Sequence, residues 1–375
     1  MWVFDGHLDL AMNALVYERD QTSDHAALRR REAPGVQDDR GRCMVSLPAM
    51  RRGDVRLCVA TILARAKPWI DPCRSIARSS GDWPSPDMAH AMCHGQLAYY
   101  RLLEQRGQIT ILTDRDALAM HLELWDESPD DAPIGVILTM EGADGITEPA
   151  ELDDWHAAGL RTLMLAHFGR SHYAHGTPST DPTNTHDVDG PLTDLGRALL
   201  ERMLALRMPL DLSHLSDQSF AEAAERYSGG AVYASHSSCR AIVSGNDHVH
   251  PMRMLDDAQI KTVVEADGVI GVPVFNAFLE PGYHRGSDPD GVPIDRLADH
   301  IDHICQLAGD AAHVAIGSDA DGGFGAEHTP AGLESIADCC RIGDTLARRG
   351  YGDAQVAAVM HGNWVRFFTR HLPPR

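Results

Sequence analysis

The sequence predicts an α/β fold closed as a (β/α)8 TIM barrel, forming one domain over residues 1–375, and three observations carry that prediction. Short apolar runs recur along the chain, helical stretches or long loops separate them, and most of the runs end in His, Asp or Glu. Alternation of strand and helix implies a parallel sheet, and eight repeats imply closure. The competing fold, an open doubly wound sheet, expects a glycine-rich phosphate loop after its first strand. This chain has Gly6-His7-Leu8-Asp9 there.

In order, the strand-like runs are Trp2–His7, Leu57–Leu63, Gly135–Glu141, Leu160–His167, Pro209–His214, Ala231–His236, Gly268–Phe275 and His313–Asp319. Helical patterns fall on Ala89–Arg106, Thr193–Arg207, Asp217–Tyr227, Asp256–Ala266, Ile294–Ala308 and Leu333–Arg348. Thr193 and Asp217 stand where N-caps are expected, and Gly309 where a helix ends. Two stretches, Asp20–Val55 and Glu280–Pro293, read as loop excursions. Long βα loops shape the pocket of a barrel, so specificity is expected to reside there.

Composition narrows the function. With 43% hydrophobic and 23% charged residues, the 375-residue chain can bury a full core. Its formal charge of −21, with no basic run, argues against a nucleic-acid partner or an anionic membrane surface. No stretch reaches the roughly 18 apolar residues of a membrane span, and the chain opens on Trp2-Val3-Phe4 rather than on a charged leader. The expectation is a soluble cytoplasmic protein acting on a small molecule, with a homodimer left open. Cys43, Cys58, Cys73, Cys93, Cys239, Cys305, Cys339 and Cys340 contain no CxxC pair and read as reduced thiols.

Chemistry enters at the strand ends. Residues i and i+2 of a strand share a side, so His7 and Asp9 project together. One His-x-Asp is weak, because a histidine near a strand end is more often a core or surface residue than a ligand. Recurrence gives it weight: Glu141, His167, His214, His236 and Asp319 each close a predicted strand, at the rim where barrel enzymes place their active sites. Imidazole and carboxylate together suit zinc or a similar divalent ion.

Seven segments carry a family resemblance: Asp5-Gly6-His7-Leu8-Asp9, Glu141-Gly142, Leu192-Thr193-Asp194-Leu195-Gly196, Asp211-Leu212-Ser213-His214-Leu215-Ser216, Ser235-His236-Ser237-Ser238, Gly317-Ser318-Asp319-Ala320-Asp321-Gly322 and Gly362-Asn363-Trp364-Val365-Arg366. In this order they resemble the membrane (renal) dipeptidase family, peptidase family M19 of the amidohydrolase superfamily. The resemblance implies two zinc ions bridged by Glu141, with His7 and Asp9 completing one site and His214 and His236 the other. It also implies Asp319 as proton shuttle and His167 as donor to the tetrahedral oxyanion. Two metals roughly 3.5–4 Å apart can share a water, lower its pKa and polarise a carbonyl, so a dipeptide or related amide would be cleaved without a serine or cysteine nucleophile. Many superfamily relatives bridge their metals with a carboxylated lysine, but neither Lys67 nor Lys261 lies at a strand end. Ser235 and Ser237 flank His236 without a GxSxG elbow. A lactonase or phosphoesterase on the same metals is an alternative; a non-catalytic metal-binding barrel is another, and the retained Asp319 argues against it.

The resemblance breaks in the specificity residues. Dipeptide-cleaving members carry an Arg-Asn pair after the sixth strand, whereas this chain reads Gly245-Asn246-Asp247-His248-Val249-His250-Pro251-Met252-Arg253, leaving Arg253 close but out of register. Phe275 replaces the usual tyrosine, and Phe168–Gly176 differs from the family text. Arg253, Arg170 and Tyr173 are the candidate substrate contacts. His172, His175, His186, His248 and His250 are placed in loops, solvated or pocket-lining, and Asp321 is read as helix-initiating or supporting.

Overall fold

Alternation is missing from the central strands because both of their faces are covered, as parallel sheets require. Strand β1 (Val3–Leu8) and strand β3 (Ile134–Met140) are buried at every position, and β2 (Val55–Ile62) at all but one. The structure is a computed structural model and describes residues 1–32, 41–69, 81–181, 183–243, 249–285, 287–288 and 291–375. In it β1, β2 and β3 pair in parallel and continue through β4 (Leu160–Met164), β5 (Leu210–Asp211) and β6 (Val232–Tyr233). A parallel bridge from Ala234 to Ile270 leads to β7 (Ile270–Val272), which pairs with β8 (Val314–Ile316). The eight strands therefore follow one another in the expected succession.

From β8 back to β1 no regular ladder runs among the described residues. The Asp319 N–H donates to the His7 carbonyl at 3.2 Å. Beneath it, Asp5 Oδ1 accepts from the N–H of Ser318 at 2.8 Å and from that of His7 at 3.1 Å, joining the last strand end to the first. Asp211 repeats the device, accepting from Ser213 at 2.9 Å and Ser235 at 3.1 Å. Asp5→Ala would leave two buried N–H groups without an acceptor, at about 1–3 kcal/mol each. A clear drop in the urea midpoint is expected, smaller for Asp5→Asn, which keeps an oxygen. An unchanged midpoint in Asp5→Ala would show that the link between the last strand end and the first does not depend on this carboxylate.

Aromatic residues of the strands pack against those of the C-terminal helix Asn363–His371. Phe4, Tyr233, Trp364, Phe367 and Phe368 form one buried cluster. Trp364 donates from Nε1 to the Ile316 carbonyl at 2.8 Å, and Asn363 donates to Ala311 and Val314, both at 2.7 Å. Gly6 is required here because a Cβ on it would stand 2.5 Å from the Trp364 ring. The Asp5-Gly6-His7 and Gly362-Asn363-Trp364 segments are thus two sides of one contact.

Helices form near the expected positions, at Pro86–Gln105, Asp194–Leu206, Asp217–Arg226, Asp257–Glu265 and Asp295–Ala308. Thr193 caps its helix by accepting from the Gly196 N–H, and Gly309 ends another at φ +84°. Asp217 is not a cap: Ser216 holds that place and Asp217 is the first helical residue. Leu333–Arg348 is helical only from Cys340, after a 3-10 turn at Ile336–Cys339. Helices Leu10–Val16, Arg115–Glu127, Leu152–Ala157, Asn276–Leu279, Asp353–Ala357 and Asn363–His371, and a strand Ile109–Ile111 beside β3, fall outside the helical and strand patterns of the sequence. The first excursion contains helices His25–Arg31 and Leu47–Arg52, and residues 33–40 of it lie outside the described residues, as do Cys73 and His248. The other seven cysteines are unpaired. Among the described residues no helix is long and apolar enough to cross a membrane.

Candidate metal centre

Six strand ends deliver side chains to one point. His7 closes β1 and is fully buried; Asp9, at the start of the following helix, accepts a short hydrogen bond from the Thr61 hydroxyl at the end of β2. Glu141 follows β3, with its N–H bonded to Ile62 at 3.0 Å, and Gly142 turns the chain at φ +79° immediately after it. His167 stands beyond β4, its carbonyl accepting from the Thr177 N–H at 3.1 Å. His214, His236 and Asp319 each stand three residues beyond β5, β6 and β8. His214 and Asp319 hold left-handed backbone at φ 64° and 56°, as does Asp321 at 65°. Strained backbone at three positions of one rim is typical of functional sites.

Glu141 is the hub. Its Oε2 lies 3.3 Å from His7 Nε2, and its Oε1 lies 3.4 Å from His167, 3.6 Å from His214 and 3.5 Å from His236, each measured to Nε2. His7 Nε2 is 3.9 Å from Asp9 and 4.0 Å from Asp319. His7, Asp9 and Glu141 form one compact donor group, Glu141, His214 and His236 a second, and His7, His236 and Asp319 a third, each with ligand atoms within 4.8 Å of one another. The first two group the same residues as the two sites that the family resemblance implies.

Electrostatics and hydrogen bonding fit a divalent cation. Burial, then mutual repulsion, lifts the Asp9 carboxyl to about 7; burial, with Asp211 adding, lifts Glu141 to about 7; burial and the nearby Glu141 and Asp9 lift Asp319 well above its ordinary value. Burial and Arg253 hold His214 well below its usual value, burial and His7 do so for His236, and burial and Arg65 for His167. Neutral imidazoles beside crowded carboxylates are the protein half of a metal site, and a bound cation reverses the carboxylate direction. His7 Nε2 and Glu141 Oε2 are buried without a hydrogen-bond partner, and His214 Nε2 and His236 Nε2 face each other at 2.9 Å. Nitrogen and carboxylate donors in this mixture suit zinc-like ions. Lys67, the lysine nearer the rim, is engaged elsewhere, by the carbonyls of Phe168 and Arg170 and by Asp187.

A profile described as membrane dipeptidase, peptidase family M19, matches residues 1–371. The chain belongs to that family. Among curated relatives, an uncharacterised protein of the pqqA 5′ region of Klebsiella pneumoniae is 29% identical over 238 residues, 63% of this chain and 82% of its own. An uncharacterised dipeptidase of Schizosaccharomyces pombe is 29% identical over 234 residues, 61% of this chain and only 52% of its own. A metallopeptidase of Rhodobacter sphaeroides, crystallised with a phosphinate mimic of L-Ala-D-Ala, superposes with a TM-score of 0.73 over 99% of both chains at 22% identity, which shows a shared α/β fold. M19 membership makes the chain a hydrolase of a metallopeptidase family and agrees with the donor set.

The specificity residues stand less simply. Above the centre opens a cavity of about 690 Å³ walled by Phe168, Phe275, Phe278 and Phe324, with Asp9, His167, His214 and Asp319 at its base. Arg253 is buried behind Phe278, its guanidinium carbon 4.4 Å from that ring; Nη1 donates to the His236 carbonyl at 2.9 Å while Nε and Nη2 lack partners. Tyr173 corrects the expectation of a substrate contact: it is fully buried and its hydroxyl donates to the Ile146 carbonyl at 2.7 Å. Arg170 is exposed and does not line the cavity. Of the loop histidines, His250 lines the cavity, while His172 lies 3.5 Å from Asp144, His175 bonds to Val188 and His186 stacks on Trp69. Arg65, which the sequence reading missed, lines the cavity three residues past β2. Extending the strand-end criterion by one turn of chain would have found it.

Proposed function

We propose that this protein is a metal-dependent dipeptidase or closely related amidohydrolase that holds two divalent ions, zinc by its donor set. His7, Asp9 and Glu141 would hold one ion, and Glu141, His214 and His236 the other. The observation that carries the reading is the pair of donor groups sharing Glu141 in a chain of the M19 family. When bound, such ions supply an activated water and polarise the scissile carbonyl. Asp319, at the base of the cavity beside His7, is placed to take the proton and return it to the leaving amine. His167 is placed to donate to the carbonyl oxygen, and the aromatic wall excludes water around the substrate.

After purification without chelator, about two divalent ions per chain are expected, because five ligands cannot be satisfied by one tetrahedral zinc that also keeps a water position. The same preparation should cleave members of a panel of dipeptides, N-acyl amino acids and lactones, and lose that activity on chelation. No bound metal even after reconstitution would sink the reading.

The cavity is wide and apolar for a dipeptide of small residues. A dipeptide with a phenyl or isobutyl side chain is therefore expected to exceed Ala-Ala in kcat/KM by about tenfold or more, at about 0.8 kcal/mol per buried methylene. Phe275→Ala should erase most of that advantage; equal efficiencies in the unaltered enzyme would show that the aromatic wall is not used. C-terminal amidation tests Arg253 separately: loss of activity on amidation and in Arg253→Ala would return to Arg253 the carboxylate-binding role that its position behind Phe278 does not support.

A further inference from the structure

Four imidazole Nε2 atoms surround Glu141, yet their Nδ1 atoms face different chemistry. His236 Nδ1 lies 2.7 Å from the Ser235 hydroxyl and His214 Nδ1 lies 3.4 Å from the Thr177 hydroxyl. Each hydroxyl can accept an Nδ1–H, which leaves the Nε2 lone pair free for a cation. His167 differs. Its Nδ1 lies 2.7 Å from Arg65 Nη1, and a guanidinium offers only donors. The ring must therefore accept at Nδ1 and carry its hydrogen on Nε2, the nitrogen 3.4 Å from Glu141.

Arg65 is itself braced. It opens the two-residue strand Arg65–Ala66, which pairs in parallel with Asp82–Trp83, and its Nε forms an ion pair with Asp82 Oδ1 at 2.7 Å, without hydrogen-bond alignment. Both side chains are about nine-tenths buried. We propose that Arg65, held by Asp82, is a positioning residue that fixes His167 as an Nε2–H donor aimed at the substrate oxygen and thereby excludes it from the metal-ligand set. The inference rests on the hydrolase reading above only for the identity of the oxygen; the tautomer follows from the contacts. Because guanidinium geometry sets the ring plane as well as its polarity, lysine should restore the effect in part.

Long-range 1H–15N correlation spectra of the full-length, metal-loaded protein with 15N-histidine test the inference, the His167 signals being assigned by their loss in His167→Gln. The expected result is an unprotonated Nδ1 and a protonated Nε2 in the unaltered protein. In Arg65→Met a mixture or reversal is expected, with metal content unchanged and kcat lowered about 10²-fold, the lower end for loss of one oxyanion donor, while KM changes far less. Asp82→Asn should fall between, and Arg65→Lys should recover part of both tautomer and rate. A protonated Nδ1 in the unaltered protein overturns the inference, and that measurement decides even if Arg65→Met does not fold. An unchanged tautomer in folded Arg65→Met overturns it too. A correct tautomer in an enzyme that cleaves no amide would instead defeat the hydrolase reading and leave the Arg65 lock standing.

Discussion

Glu141→Gln is expected to strip the protein of both metals at once and to abolish turnover. Every ligand nitrogen of the centre lies within 3.6 Å of a Glu141 oxygen, Oε2 toward His7 and Oε1 toward His214 and His236. Glutamine keeps the volume and one oxygen, so packing around the buried side chain survives. It replaces the second oxygen by an NH2 group that can only donate, and removes the negative charge that two cations would share. Loss of an outer-shell partner alone weakens metal binding by about 10–100-fold, so loss of a shared ligand should exceed about 100-fold for each ion. Metal analysis after gel filtration, with a thermal melt to confirm folding, reads the result. The third donor group, His7 with His236 and Asp319, contains no Glu141. A variant that kept one ion would place it on that group, and one that kept both ions and full rate would show that the bridge lies elsewhere.

The strand ends were legible because two constraints coincide on them: burial on both faces makes the strands apolar, and the rim makes the next residue polar. His7, Glu141, His214, His236 and Asp319 stand out for that reason. What local sequence does not encode is the path of the chain just past each strand. Nothing about His214 or Asp319 announces left-handed backbone, which histidine and aspartate adopt only more often than most residues; tertiary contacts impose it. The same gap explains Tyr173 and Arg65. Tyr173 shares a polar segment with Arg170 and His172, but its ring turns into the core to reach the Ile146 carbonyl. Arg65 reads as a solvated arginine until Asp82 and His167 are seen on either side of it. The helix Arg115–Glu127 escaped notice because its buried face consists of Leu118, His121 and Trp125, too mixed a set to show as an apolar stripe.

Asp319→Asn is expected to keep its metals and lose about 10²–10⁴ in kcat, the range for a general acid or base. The structure favours a clean separation of the two effects. Asparagine is isosteric and tolerates left-handed backbone about as well as aspartate, so φ 56° at this position need not change. Gly322 leaves the space the side chain occupies, since a Cβ there would come within 1.8 Å of Asp319 Oδ1, and the backbone N–H of Asp319 still reaches the His7 carbonyl. What disappears is the ability to take up and release a proton. Burial together with Glu141 and Asp9 pushes the Asp319 carboxyl well above its usual range, and His7, then Arg253, work in the opposite direction, so its proton affinity is set largely by the same neighbours that would hold the metals. Single-turnover rates on the best substrate, measured beside metal content, separate the outcomes. An unchanged rate would mean that the proton travels by another route. Loss of metal together with rate would make Asp319 a ligand alongside His7 and His236 rather than the group that moves the proton.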